Sequence, residues 1–429
     1  MAKKKRKINS EFNDDEIIVG LDVGTTKICV IVARIKDENN IDILGIGKAP
    51  SFGLHRGIVV NPNKTSDSIR RAIEEAELNS GVNINSVSVG IAGHYIRCIQ
   101  SGSIIGINNA DRIIQEEDIA RLIEQAKIMK MPSDTTIIDV IPQEYIIDGK
   151  DGIYDTPVGM FGIKLEAKVN IITGLVSSID DLSKCVTSCG IDIDDIVLEP
   201  IASSYSVLDE TEKKVGVAMI DIGGGTSDIA VFKKGVLKYT AGIGIAGNLV
   251  TNDIIEALGI SETEAERIKR EYGYAMVSEI LNDDEIVVEA IKGKVPKRTS
   301  KSILARIIQA RMQDIFELSA IEIQNSQISK ELHAGVIITG GGSLIKGTKE
   351  LAENILGMEV NLGIPTGLKG GLIKEVESPI FATGVGLVLH RLKSMNDITK
   401  LSEFKKENKR KSLTVSGIFK KIQQWFDEL

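Results

Sequence analysis

Two short stretches of this 429-residue chain have the residue types needed to hold a polyphosphate. In the first, an apolar run beginning at Ile17 ends in Asp22, Gly24, Thr25, Thr26 and Lys27. In the second, the apolar run 217–220 ends in Asp221, Gly223, Gly224, Gly225, Thr226, Ser227 and Asp228. Each run reads as a buried strand and each Asp-x-Gly break as a tight hairpin, where glycine accepts positive φ and lets backbone approach a ligand closely. Successive N–H groups in such a turn form a concave anion site, to which the threonine hydroxyls add donors. An Asp at the strand end suits Mg2+, which keeps several waters and is held through them. One such turn alone is an ordinary hairpin. Two, each behind a buried strand, point to loops that face each other and clamp a polyphosphate and its metal from both sides. A third glycine turn, Gly340, Gly341, Gly342 and Ser343, follows the apolar run 336–339. Bare backbone there lets a flat base or sugar lie against the chain.

The elements that must position these loops follow from periodicity. Residues 15–90 alternate strand and helix patterns, with a strand at 42–49 and a helix at 65–78 that puts Ile69, Ala72, Ile73 and Ala76 on one face. Residues 91–172 carry no phosphate loop. A helix at 113–129 and strands at 136–141 and 164–172 make this an inserted α+β module. The second loop lies in 211–243 with a hairpin around Lys233, Lys234 and Gly235. A charged, mostly helical block fills 244–301, and its Ser261-to-Glu264 capping box should start a helix. A long helix at 302–323 then leads to the glycine turn. Residues 381–392 are apolar and small, suited to close helix packing, and 393–412 are charged like a flexible linker. The simplest account is two related core domains across a nucleotide.

At this length the chain should hold roughly three domains. A net charge of −8 and a pI near 5.4 argue against a general nucleic-acid binder. Cys29, Cys98, Cys185 and Cys189 have no zinc spacing; Cys185 and Cys189, on one helix face, are expected as buried thiols. The cytosol is the expected compartment. The basic start from Lys3 to Lys7 lacks the apolar segment of a secretory signal and reads as a solvated tail, with a minor role at anionic lipid as the alternative. Nothing in the sequence is long and apolar enough to span a membrane. Gly242, Gly244 and Gly247 match a dinucleotide fingerprint literally, but the strand before them is the return arm of a charged hairpin. No Walker loop and no Ser/His/Asp triad stand out. The four histidines read as structural or surface groups, with His94 a candidate surface contact.

At the C-terminal end Val415, Ile418, Phe419, Ile422, Trp425, Phe426 and Leu429 form a helical apolar stripe opposite Lys420, Lys421, Gln423, Gln424, Asp427 and Glu428. Docking on the protein's own core is the plain alternative. A helix lying in a membrane interface accounts for the Trp, the Phe pair and the lysines together. Many copies on a polymer would strengthen that modest binding by avidity.

Taken together, the two Asp-x-Gly loops and the Thr339-Gly-Gly-Gly turn resemble the actin/Hsp70/sugar-kinase ATPase superfamily. Within it the chain is most similar to the FtsA family of bacterial cell-division proteins, from about residue 15 to 392 and again in the C-terminal helix. The stretches from Ser86 to His94, Ile141 to Asp148 and Pro157 to Gly162 resemble that family's own inserted domain, which replaces the second small domain of actin. The resemblance implies an α/β, actin-like (ribonuclease H-like) two-lobed ATPase fold with an inserted α+β subdomain and a C-terminal amphipathic helix. Its parts would be a basic disordered start (1–14), core subdomain 1A in three pieces (15–90, 173–210 and 359–392), the inserted subdomain 1C (91–172), core subdomain 2A in two pieces (211–243 and 302–358), the small subdomain 2B (244–301), a linker (393–412) and a membrane-targeting helix (413–429).

The resemblance also implies ATP and Mg2+ as cofactors, with Asp22 and Asp221 flanking the metal and acting on it through water. Gly24, Thr25, Thr26 and Lys27 would touch phosphates from one side and Gly223, Gly224, Gly225 and Thr226 from the other. Glu199, in a Glu-Pro segment, would orient a water or metal ligand and form the catalytic set with the two aspartates. Glu266 and Lys269 would reach the ribose and base, and Gly340 to Ser343 the adenine side. The catalytic Lys or Asp that related kinases and chaperones carry on other inserts has no counterpart, so slow hydrolysis at most is expected. Implied partners are the C-terminal tail of the tubulin-like protein FtsZ at about 244–301, further copies of the chain, an anionic membrane surface and later division proteins, but no nucleic acid. The implied location is peripheral, at the cytoplasmic face of the cell membrane at the division site. A sugar-kinase-like phosphotransferase would need a catalytic base and has no use for the terminal helix. An Hsp70-like regulator would need a peptide-binding β domain after residue 392. A pilus-assembly-type adaptor is opposed by the motifs of 91–172.

Overall fold

The computed structural model describes residues 17–37, 40–153, 156–289 and 296–396. The basic start, most of the expected linker and the apolar stripe of 415–429 lie outside them.

Two sheets share one topology. In the first, strands Ile17–Val23, Lys27–Asp37 and Asn40–Pro50 form an antiparallel meander, Ser86–Ile91 runs parallel beside the first of them, and Asp192–Leu198 runs parallel beside that. In the second, Val217–Ile222, Ser227–Lys233 and Val236–Ile243 form the meander, and Val336–Thr339 and Val360–Leu362 add the parallel strands. The doubled loops are thus the first hairpins of two copies of one sheet. Only the first copy adds a short sixth strand, Gly370–Gly371.

The central strands read as unbroken apolar runs because both faces are covered. Along Lys27–Asp37, Ile28, Val30 and Val32 face helices Pro62–Ser80 and Val176–Thr187, while Cys29, Ile31 and Ala33 face Phe381, Val385 and Val388. In the second sheet Ile220, Ile229 and Val231 pack on helices Gly247–Leu258 and Lys301–Asn325, and Val217, Met219 and Ala230 pack toward Val207 and Leu208. Burying such side chains contributes roughly 1.5–3 kcal/mol each. Gly20 lets the helix over residues 382–396 approach, since a Cβ there would lie 2.8 Å from the Gly384 carbonyl.

Between Ser86–Ile91 and Asp192–Leu198 the chain leaves the first core and builds a separate antiparallel sheet, in the order Arg97–Gly106, Lys164–Leu175, Thr135–Ile147, Lys150–Ile153, with helix Glu116–Ala126 packed on it. This helix is shorter than the 113–129 expected. Residues 113 and 114 are extended instead: Ile113 pairs with Phe161, and the Ile114 N–H donates to the Met160 carbonyl at 2.8 Å. Asp118 then accepts from the Gln115 N–H at 2.9 Å and starts the helix there.

Other expectations shift in similar ways. The charged block is helical over Gly247–Leu258 and Glu262–Tyr272 but ends in a hairpin of Glu285–Val288 and Lys297–Ser300. Half of the expected capping box forms: Ser261 accepts from the Glu264 N–H, while the Glu264 carboxylate turns to Arg267. The last helix among the described residues, over 382–396, runs past Leu392, so the charged stretch begins helical rather than as a linker. Lys234 and Gly235 both take positive φ, as the predicted two-residue hairpin requires. All four cysteines are free; Cys185 is buried, and Cys189, just past the end of its helix, is half-buried. Among the described residues no helix is long and apolar enough to cross a membrane.

Candidate functional site

The first hairpins of the two sheets meet tip to tip. A Cβ on Gly224 would overlap the Thr26 hydroxyl, and one on Gly225 would overlap that of Thr25. Glycine at these positions is therefore a requirement of the contact between lobes. The Thr26 hydroxyl donates to Asn248 Oδ1 at 3.1 Å across the gap, and the Gly57 N–H donates to Thr25 Oγ1 at 3.3 Å from behind.

Beside the tips opens a cavity of about 780 Å3. Its lining brings together Asp22, Gly24 to Lys27, Glu199, Gly223 to Thr226, Glu266, Lys269 and Gly340 to Gly342, residues drawn from five separate parts of the sequence. Ser343 is the exception among the described candidates. It is buried, and its hydroxyl donates back to the Gly340 carbonyl at 2.7 Å, so it shapes the turn instead of facing the cavity. The membrane-facing candidates Ile418, Phe419, Ile422, Trp425 and Phe426 lie outside the described residues.

The floor of the cavity is acidic. Asp22 and Asp221 end their strands, Asp228 pairs with Asp221 across the second hairpin, and Glu199 opens the helix Glu199–Val207 behind a Pro at its first turn. Burial pushes the Asp22 carboxyl up to about 6, with Lys27 opposing and Asp221 adding to the rise. Burial and then Asp221 push Asp228 to about 7, against a hydrogen bond from Thr226. Glu199 is raised well above the usual range by burial and by Asp22, Asp228 and Asp221, in that order. Burial also raises Asp221, which accepts from Ser203 Oγ at 2.9 Å and from Thr383 Oγ1 at 3.4 Å. Asp22, Asp228 and Glu199 are each raised in part by a neighbouring carboxylate, so a cation among these groups would relieve their repulsion. Among the described residues no three acidic, His or Cys side chains converge closely enough to coordinate one ion directly. Carboxylate oxygens on the floor of a cavity are the donor type that a hydrated Mg2+ would take.

The opposite end is basic and rigid. On helix Glu262–Tyr272, Lys269 pairs with Glu266 at 2.5 Å and donates to Thr251 Oγ1 at 2.8 Å and to the Gly247 carbonyl at 3.1 Å. Thr251 donates to Glu266 at 2.8 Å, and Arg270 holds its other oxygen at 2.6 Å. Burial lowers Lys269 despite Glu266. Lys27 spans the other wall, its ammonium donating to the Ile380 carbonyl at 2.7 Å and lying 4.6 Å from the centre of the Phe381 ring.

The arrangement thus offers two sets of loop amides and hydroxyls over an acidic floor, with charged hydrogen-bonding groups and bare glycine backbone at the far end. Sequence reasoning placed Asp228 in the second loop without giving it a role, and missed Asn248, Ser203 and Thr383. Asp228 had a signal, being a charge inside the apolar run 227–232. The other three are ordinary polar residues that only the crossing of elements brings to the loops. The glycines of the dinucleotide-like run serve packing: Gly242 lies against the Gly93 backbone, and the Gly247 N–H donates to the Gly223 carbonyl at 3.1 Å.

Comparison with known proteins bears on this geometry. Residues 218–386 match the family "Cell division protein FtsA", and residues 93–173 match "SHS2 domain inserted in FTSA". The separate antiparallel sheet is that inserted domain. The chain is 41% identical to the cell division protein FtsA of Pseudomonas aeruginosa over 89% of its own length and 91% of the relative. It is 38% identical to the FtsA of Borreliella burgdorferi over 96% and 99% of the two chains, and 33% identical to that of Escherichia coli K12 over 96% and 98%. Among solved structures, the PilM-PilN type IV pilus biogenesis complex matches with a TM-score of 0.63 at 14% identity, covering 88% of this chain and 98% of that one. MreB5 of Spiroplasma citri bound to ADP matches with a TM-score of 0.55 at 14% identity, covering 90% and 99%. These likenesses show an actin-like fold. With relatives this similar along nearly their whole length, the chain belongs to the FtsA family of cell division proteins.

Proposed function

We propose that this chain is an ATP-binding adaptor that polymerises at the cytoplasmic face of the cell membrane and anchors FtsZ there during septum assembly. The observation that carries the reading is the meeting of the doubled hairpins over four desolvated carboxyl groups, two of them buried and two half-buried. Gly24 to Lys27 and Gly223 to Thr226 would hold the phosphates, Glu266 and Lys269 the ribose and base, and Gly340 to Gly342 the adenine side. Asp22 and Asp221 would hold hydrated Mg2+, which when bound neutralises phosphate charge and relieves the repulsion among the carboxyl groups. Glu199 would orient a water, with at most slow hydrolysis. Bound nucleotide then acts chiefly by fixing the angle between the lobes. The ADP-bound state of MreB5, a protein of the same fold, supports a nucleotide in such a cleft.

The small block 244–301 is the proposed dock for the FtsZ tail. It exposes Leu281 and, on its hairpin, Val287 opposite Arg298, apolar and basic groups suited to a short amphipathic segment. The apolar stripe of 415–429 is the proposed membrane tether, and the inserted domain the proposed contact for neighbouring copies and later division proteins.

Co-sedimentation with liposomes containing anionic lipid, in the presence of MgATP, tests the adaptor. The intact chain should pellet with the vesicles and carry FtsZ down with it. A chain ending before Val415 should remain in the supernatant. Equal pelleting of both chains would end the tether assignment.

A further inference from the structure

Side-chain hydrogen bonds join the two lobes at the floor of the cleft, where Ser203 and Thr383 meet Asp221, at the inserted domain, where Asn170 and Gln143 meet the strand Val236–Ile243, and at the tips of the phosphate loops, where Thr26 meets Asn248. We infer that Asn248 is a positioning residue of the cleft: by accepting from Thr26 it sets the gap between the two phosphate loops. This rests on the reading of the cleft as a nucleotide site.

Asn248 is fastened to the second loop by its backbone. Its N–H donates to the Gly224 carbonyl at 2.8 Å, and the preceding Gly247 N–H donates to the Gly223 carbonyl at 3.1 Å. Its side chain then reaches the first loop. Gly224 lies beneath this contact, since a Cβ there would overlap Thr26 Oγ1 and come within 3.3 Å of Asn248 Oδ1. Thr26, Gly224 and Asn248 therefore share one point of contact between the lobes. The same helical turn is braced from the other end of the cavity, because the Gly247 carbonyl accepts from Lys269 at 3.1 Å, and Lys269 holds Glu266 directly and through Thr251. The spacing of the loops and the position of the Glu266–Lys269 pair are thus tied together through Gly247 and Asn248.

The physical consequence concerns preorganisation. Donors on separate lobes bind one polyphosphate only when their spacing matches it, and an error of about 1 Å in such a site costs much of the binding. The bond between Thr26 and Asn248 lies at the loops themselves, so it acts directly on that spacing. Asn248 acts here through Thr26 and Gly224.

The test is a double-mutant cycle on the full chain, titrated with MgADP and MgATP. Asn248→Ala should weaken both nucleotides several-fold in the wild-type background and equally in Thr26→Ser, which keeps the hydroxyl. It should cost nothing further in Thr26→Val, which lacks it. Equal losses in all three backgrounds, or no loss in the wild type, would overturn the inference while leaving nucleotide binding intact. A wild-type chain that binds neither nucleotide would remove the reading it rests on. Should Thr26→Val bind too weakly to titrate, hydrogen exchange without nucleotide gives the same cycle: Asn248→Ala should speed exchange at residues 24–27 several-fold in the wild type and not in Thr26→Val. Unchanged exchange would contradict the role.

Discussion

The Ser203 hydroxyl donates to the Asp221 carboxylate at 2.9 Å, joining the helix that Glu199 opens in the first lobe to the strand end that carries the second phosphate loop. Thr383, on the final helix, completes the contact at 3.1 Å from Ser203. One carboxyl group is thus both part of the acidic floor and part of the joint between the lobes. Ser203→Ala removes a donor from a buried acceptor and should lower unfolding stability by about 1–2 kcal/mol. Thermal melts of the ligand-free chain check this. An unchanged melting temperature would mean that Thr383 alone satisfies Asp221.

The acidic floor makes stability depend on pH. Asp228 titrates near 7 in the folded chain against an ordinary value of 3.8, chiefly from burial. A raised carboxyl pKa means the folded state binds more protons than the unfolded state between those values. Stability from this group is therefore full below about pH 4 and is lost as pH rises through 7. Asp228→Asn, which cannot ionise, should stabilise the ligand-free chain at pH 8 by at most about 4 kcal/mol, with the gain fading toward pH 4. Urea unfolding at the two pH values measures it, and a gain equal at both would show that charge is not the cause.

The inserted domain is fastened to the opposite lobe by buried amides. Asn170 donates to the Lys238 carbonyl at 2.8 Å and the Leu237 carbonyl at 3.2 Å, and Gln143 donates to Leu237 at 2.7 Å. These carbonyls belong to Val236–Ile243, the edge strand of the second sheet. Asn170→Ala leaves a buried acceptor short of a partner, which costs roughly 1–3 kcal/mol. Hydrogen exchange should rise along 236–243 while the first sheet keeps its protection. A uniform rise across the chain would point to a general loss of stability.

Much of this was legible in the sequence because it rests on local rules. The two Asp-x-Gly hairpins, the strand expected at 42–49 and found at Asn40–Pro50, and the helix expected at 65–78 and found at Pro62–Ser80 follow from apolar runs broken by glycine and from the spacing of Ile69, Ala72, Ile73 and Ala76. What escaped depends on partners distant in sequence. Residues 113–115 look helical until Phe161 and Met160 pair with them. The hairpin of 285–288 and 297–300 has only Ile286, Val288 and Thr299 facing inward, too few to show a period of two. Ser203, Thr383 and Asn248 become parts of the site only when helices cross and lobes meet. Ser343 was assigned from its place in a glycine turn, whereas its hydroxyl caps that turn from within.

The central claim is that the doubled hairpins and their acidic floor clamp a Mg-nucleotide, and calorimetric titration of the intact chain with ATP tests it most directly. The wild type should bind ATP with Mg2+ present and at least tenfold more weakly with the metal chelated, and Asp221→Ala should weaken the Mg2+-dependent binding by a similar factor. ATP affinity that is unchanged both by removing the metal and by Asp221→Ala would contradict the account.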